Sequence, residues 1–282
     1  MGHERAESIS IRYLRISGLL FFVLITLFPF YWMVVSSLRP LEEILVHPSR
    51  LWLSIRDINL NAYYDVIFEH GFSRYILNSL YVSTLTVFLT LFFSSIGGYA
   101  ATRFSFRGKR LIYSSIVVIY LFPVIVLIIP LYVIFSRLGI RDSLHVLILI
   151  YLAQTLPVGL YMMRGHFEAL PVEVEQAALI DGCSRLGVLW RIVLPVSLPA
   201  LASVALYTFM IAWNEFLFAF IFLDSPSKFT LSRGVVHLAG SVHLSKQLVM
   251  AASVIITIPV LALFILFERY LVSGLTKGAV KG

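Results

Sequence analysis

Six runs of mostly apolar residues, each long enough to cross a bilayer as a helix, constrain this chain more than any other feature. A span needs roughly 20 such residues. The runs fall at about Ile16–Leu38, Tyr75–Ala101, Leu111–Phe135, Leu144–Met163, Pro199–Leu223 and Leu248–Phe267. All six are expected to be helical, because hydrocarbon offers a bare backbone no hydrogen-bond partner. Composition agrees. At 59% hydrophobic and 13% charged residues, the chain departs from soluble domains, where about half and a quarter are usual. The expectation is an all-α polytopic membrane protein with six transmembrane helices. It would form a single domain over residues 1–282, with a core at about 75–271.

Charge placement orients the spans. Arg12 and Arg15 precede the first run, and Arg103, Arg107, Lys109 and Arg110 crowd the short second connection. By the positive-inside bias both termini are expected in the cytoplasm, although Arg39, Arg50, Arg56 and Arg74 fall in the first outer loop. The net charge of +7 reads as topology and not as nucleic-acid binding, since no basic run is interleaved with aromatics on a soluble face. The first run is longer than a signal-peptide core and lacks a following small-residue cleavage pair, so an uncleaved span is expected. Cys183, the single cysteine, excludes an intrachain disulfide, and the seven histidines show no metal-ligand spacing. No phosphate-binding loop of the Gly-x-x-x-x-Gly-Lys-Ser/Thr type occurs, and no catalytic constellation stands out. A transport subunit is therefore expected in place of an enzyme, with no metal site and no cofactor bound by the chain itself.

The connection from Arg164 to Leu198 carries the most information. It reads Leu-Pro-Val-Glu-Val-Glu-Gln-Ala-Ala-Leu-Ile-Asp-Gly over Leu170–Gly182 and continues to Ile192-Val-Leu-Pro195. Pro171 suits a first helical turn, and Glu173 and Glu175 complement its positive end. Gly182 suits the left-handed residue that ends a helix, and Ser184 a cap on a second short helix reaching about Val193, stopped by Pro195. Leu186, Leu189, Trp190 and Val193 recur at helical spacing. The result is a two-helix knob in which small Ala177 and Ala178 permit close approach of a partner. An amphipathic connector lying on the membrane is the plainer alternative.

These residues resemble the EAA loop of binding-protein-dependent ABC importer permeases, with Gln176 standing where the family has glutamate. The resemblance implies a type I importer permease fold. It also implies a coupling helix that docks on an ATPase through Glu175, Gln176, Ala177, Ala178, Asp181, Gly182, Ile192, Leu194 and Pro195, with Glu175 a candidate substitute for the missing glutamate. Ser37-Leu-Arg-Pro40, Asn59-Leu-Asn-Ala-Tyr63, Asn78-Ser-Leu80, Ile129-Pro-Leu-Tyr132, Trp213-Asn-Glu-Phe216 and Gly274–Gly282 are similar to the shorter permease of maltose-type carbohydrate importers. That likeness implies a second homologous permease, two copies of a cytosolic ABC ATPase holding ATP and Mg, an extracytoplasmic sugar-binding protein, and a cell-membrane location. It further implies that the tail from about residue 272, with Lys277, Gly278 and Lys281, contacts the ATPases. A disordered end is the alternative.

Asn214 and Glu215 lie at membrane depth in the fifth run, where an ionisable group is a candidate pathway residue. An interhelical hydrogen bond is the competing reading. Adjacent residues sit about 100° apart on a helix, so the two need not share a face. Asn78, Gln154 and Thr155 are further polar groups at that depth, and Trp213 and Tyr207 offer aromatic faces for a sugar. Pro29, Pro123, Pro130, Pro157 and Pro259 are candidate kinks, and Gly97-Gly98 a close helix contact. Two outer loops, about 39–74 and 224–247, are long enough to receive a partner, the later one loosened by Gly234, Gly240 and Ser241. A permease for glycerol phosphate or polyamine, or a secondary transporter, remains the alternative function.

Overall fold

The computed structural model describes residues 9–47, 50–53, 58–240 and 246–279, with side chains at all of these except 9–11, 45, 117, 120 and 269–279. Ser241 and Lys281 lie outside the described residues. The chain divides into two compact units, residues 1–70 with 237–255 and residues 71–236 with 256–282.

The first unit holds α1 (Ile9–Leu38), α2 (Leu41–Val46) and α3 (Asn61–Tyr64), the last continued by a wider π turn over Asp65–Glu69. Only 6% of the most apolar window of α1 is buried, so this helix is built for lipid on nearly all sides. The stretch after it folds around Arg39, which is 1% exposed. Its guanidinium donates to the carbonyls of Arg50 (3.0 Å), Glu43 (3.2 Å) and His47 (2.9 Å). The Ser37 hydroxyl lies 2.6 Å from that of Tyr63, and the Asn59 amide donates to Leu38 O at 2.8 Å. Arg39, which weakened the charge-bias reading, is thus the organiser of its own loop.

The second unit begins with α4 (Phe72–Arg103), α5 (Lys109–Tyr120) and α6 (Ile128–Arg137), and continues with α7 (Leu144–Glu168). Next come α8 (Val172–Ile180), α9 (Arg185–Val188), α10 (Leu194–Val196), α11 (Leu198–Asn214), α12 (Leu217–Phe222) and α13 (Leu231–Ala239). The last helix, α14 (Lys246–Ala279), belongs to the first unit as far as Ile255 and to the second from Ile256. Helices α4 and α7 pack closely through small residues, as Gly97-Gly98 suggests. A Cβ on Gly98 would lie 3.1 Å from the Arg164 backbone nitrogen, and one on Gly159 3.0 Å from the Thr90 methyl. At that approach the Thr90 and Thr155 hydroxyls meet at 2.8 Å. Thr155 is therefore a structural contact.

Each of the six runs contains helix, but only four form one helix of spanning length. The third is split between α5 and α6 by Leu121-Phe122-Pro123 and a 3-10 turn, Val124–Leu127. Proline has no N–H and disfavours helix in the residue before it, which accounts for the stop at Tyr120. The other prolines do not interrupt their helices. Pro29, Pro157 and Pro259 lie within continuous helices, and Pro130 occupies the first turn of α6, where its missing N–H is not needed. The fifth run breaks without proline at Glu215, which is extended (φ −64°, ψ 127°) and separates α11 from α12. The glycine-rich tail is not a separate segment: α14 carries straight through Gly274 and Gly278 to Ala279. Each glycine costs roughly 1 kcal/mol relative to alanine inside a helix, yet a helix that is already nucleated continues through both.

Candidate functional site

The knob forms at one end of the second unit. Pro171 precedes α8, and Gly182 takes φ +85° in the turn that follows it. Ser184 Oγ then accepts the Gly187 amide at 3.1 Å, capping α9. Pro195 does not end the second helix as expected. The turn over Leu189–Val193 widens to π geometry just before it, relieving the clash a proline ring makes with the carbonyl four residues back, and helix continues to Val196. The chain then bends by 81° into α11. Val188, Leu189, Val193 and Leu194 bury themselves against Tyr99, Met163, Phe167 and Val204, while Leu186 and Trp190 stay exposed.

Of the expected docking residues, Gln176, Ala177, Asp181 and Gly182 form the exposed face, beside Ile180, which is 86% exposed. Pro195 is also exposed, whereas Ala178 and Ile192 are half-buried and Leu194 is buried. Glu175 is corrected: it does not stand in for a docking glutamate, because it is the one buried side chain of α8. Its Oε1 accepts from Arg103 Nε (2.9 Å) and Nη2 (2.7 Å), and its Oε2 from the Tyr99 hydroxyl (3.0 Å). Arg103 Nη2 also donates to the carbonyls of Phe167 (2.9 Å) and Leu170 (3.4 Å). One ion pair therefore joins the ends of α4 and α7 to α8. Charge-assisted bonds of this kind are among the stronger polar contacts when both charges are fully partnered. Arg103 was legible only as one cation in a basic cluster; nothing in the sequence paired it with Glu175, 72 residues on.

At the other end of this unit Asp142 ties the α6–α7 link to the segment after α12. Asp142 has φ +57°, a conformation aspartate tolerates better than most residues. Its carboxylate accepts from Ser225 Oγ (2.6 Å), the amides of Ser225 (3.2 Å) and Asp224 (3.0 Å), and Lys228 Nζ (2.9 Å). Burial alone would raise its pKa, but these donors together hold it well below the usual carboxylate range. A depressed pKa contributes stability above the unfolded value, here 3.8, and loses it as pH falls through the folded one. Asp142→Asn is expected to cost about 1 kcal/mol near neutral pH, since the site is partly exposed. The difference from wild type should close as pH drops below about 4, as read by thermal unfolding in detergent.

The polar groups at membrane depth do not converge on one site. Asn78 Nδ2 donates to the carbonyls of Ser227 (3.1 Å) and Phe229 (2.9 Å), holding the outer segment. Trp213 is packed and not presented: it is 1% exposed, stacks on Phe209 at 5.2 Å, and donates to Ile256 O at 3.0 Å. Asn214 is exposed and donates to Met210 O at 2.9 Å. Glu215 accepts the Tyr151 hydroxyl (2.6 Å) and the amides of Phe218 (2.8 Å) and Ala219 (3.2 Å), which caps α12. The Ser232 hydroxyl bonds the Glu215 carbonyl freed by the break. Gln154 differs from these. Its Nε2 is buried with no hydrogen-bond partner among the described residues, on the wall of a cavity of about 760 Å³ that Phe122, Pro157, Tyr207 and Ile211 also line.

Residues 93–277 match the family of binding-protein-dependent transport system inner membrane components. An inner membrane ABC transporter permease protein of Escherichia coli (strain K12) is 40% identical over 268 residues, covering 94% of this chain and 95% of that protein. A trehalose/maltose transport system permease protein of Thermococcus litoralis is 37% identical over 278 residues, 98% of this chain and 99% of that protein. Among solved structures, a chain of a bacterial ABC transporter involved in the import of the acidic polysaccharide alginate matches with TM-score 0.78. It is 22% identical, over 93% of this chain and 98% of that one, a likeness of fold.

Proposed function

This chain belongs to the binding-protein-dependent transport system inner membrane components, and from that premise we propose that it forms half of the translocation pathway of an ATP-driven oligosaccharide importer. It is a membrane transport subunit of an ABC importer and not an enzyme. The observation that carries the sugar reading is the end-to-end likeness to the trehalose/maltose permease. The family association calls for a second permease, an ATPase and a substrate-binding protein. We take these as a homologous permease, two copies of a cytosolic ATPase that holds ATP and Mg, and an extracytoplasmic sugar-binding protein.

In this reading the exposed face of α8 docks on the ATPase, and ATPase closure moves the knob, the Arg103–Glu175 ion pair that acts as a latch behind it, and the helices α4 and α7 to which the latch is tied. The Gln154 cavity is a candidate stretch of the pathway. Its described lining is apolar except for the Gln154 amide and the Tyr207 phenol and carries no charged side chain, which disfavours a phosphate ester or a polyamine there. The helical end of α14 is the proposed second ATPase contact.

The test is uptake of labelled maltose or trehalose by vesicles holding the assembled transporter. Ala177→Asp places a charge on the exposed docking face without entering the knob core. It is expected to cut ATP-dependent uptake and ATPase retention at least tenfold while membrane insertion stays normal. Uptake that proceeds without any ATPase would overturn the reading.

A further inference from the structure

The start of α5 and the last turns of α7 enclose a groove of about 980 Å³ lined by Phe106, Lys109, Arg110, Leu111, Tyr113, Ser114, Ile116, Leu160, Tyr161 and Arg164 among others. We propose that this groove is a binding site for one anionic phospholipid, its headgroup phosphate held by Lys109, Arg110 and Arg164 and its acyl chains lying against Leu111, Ile116 and Leu160.

Three observations support this occupant. Charge and hydropathy are sorted along the groove. The cations sit at the end of the spans, while Ile116 is seven residues further along α5, roughly 10 Å at the helical rise. That spacing places a phosphate at the rim and chain methylenes below it. A free phosphate or nucleotide would leave the lower wall at Ile116 and Leu160 uncovered by any complementary surface. The wall is also built. The Tyr113 hydroxyl donates to Gly97 O at 2.7 Å, and the Arg164 guanidinium lies 5.2 Å from the Tyr113 ring centre. The local charge balance is positive as well. Glu168 pairs with Arg164 (2.8 Å) and Lys109 bonds the Phe104 carbonyl (3.2 Å), while Arg110 is exposed and Arg107 adds a fourth cation beside the rim. Basic pockets between membrane helices hold anionic headgroups by this sorting of charge and apolar depth. The proposal rests on the chain's membrane location and not on the identity of its solute.

The test is native mass spectrometry of the purified complex from detergent, titrated with phosphatidylglycerol and, separately, phosphatidylcholine. One phosphatidylglycerol should be retained per copy of this chain, with at least tenfold preference over phosphatidylcholine. Lys109→Gln with Arg110→Gln should weaken its retention about 10- to 30-fold. Ser114→Trp, which fills the groove and leaves every charge in place, should weaken it as much. Retention that survives Ser114→Trp would reveal general surface attraction and overturn the site. So would a cross-link from Tyr161 to the second permease, which would show the groove filled by protein.

Discussion

Replacing Glu175 with alanine is expected to abolish coupling while leaving the chain in the membrane. The change strands the Arg103 guanidinium in a site where its side chain is only 10% exposed. Breaking a buried pair by removing one partner costs about 3–5 kcal/mol, because the remaining charge has lost both water and counter-ion. Two carbonyl bonds would remain to Arg103, so the α4–α7 end should persist while α8 comes loose from it. The Tyr99 hydroxyl, 4% exposed as a residue, loses its acceptor in the same step. ATPase retained on purification and ATP-driven uptake should both fall at least tenfold.

Structural damage and loss of the latch separate in a double-mutant cycle. Arg103→Ala alone should cost more than Glu175→Ala, since it strands Glu175 and also frees the Phe167 and Leu170 carbonyls. The double change Arg103→Met with Glu175→Leu removes both charges and keeps the volume, and such apolar replacements of buried pairs are often neutral. It should recover most of the fold stability, measured by thermal unfolding. If the Arg103→Ala and Glu175→Ala effects instead add in the double alanine variant with no interaction energy, the ion pair is not the link between knob and helices.

How much of this was legible in the sequence depends on how local its cause is. The knob was legible because its signals lie within a few residues, Gly182 at positive φ and Ser184 as a cap, although of the four apolar positions at helical spacing only Leu189 and Val193 are buried, while Leu186 and Trp190 are exposed. The small-residue contact at Gly97-Gly98 was legible for the same reason. Pro195 misled, because a proline read alone says stop, whereas a π turn one step earlier lets the helix pass. The latch and the Asp142 clamp were illegible, since each joins residues more than 70 positions apart and no local pattern distinguishes their charges from those set by topology. The same limit hid the break at Glu215, where the deciding group is Tyr151 on another helix.

That break carries the second large effect. Glu215→Ala should lower the amount of folded, assembled permease, because it leaves three donors without their acceptor. Each buried donor so orphaned costs about 1–3 kcal/mol, and Tyr151, fully buried, has no route to water. Lipid around α11 and α12 sharpens the penalty, since the interrupted backbone has nothing else to bond. Glu215→Gln keeps the size and, with its single carbonyl at the Oε2 position, still accepts the Tyr151 hydroxyl and the Ala219 amide, so two of the three bonds survive and only the Phe218 amide loses its acceptor. It should therefore assemble almost normally. Assembly with the partner permease, followed by size-exclusion chromatography, separates the two readings of this residue. Parallel loss of assembly and uptake in Glu215→Ala, with Glu215→Gln near wild type in both, assigns the carboxylate to holding α11 and α12 in their broken geometry. Normal assembly with uptake lost in both variants would instead place the solute in contact with the carboxylate, and the charge itself, beyond its hydrogen bonds, would be what transport requires.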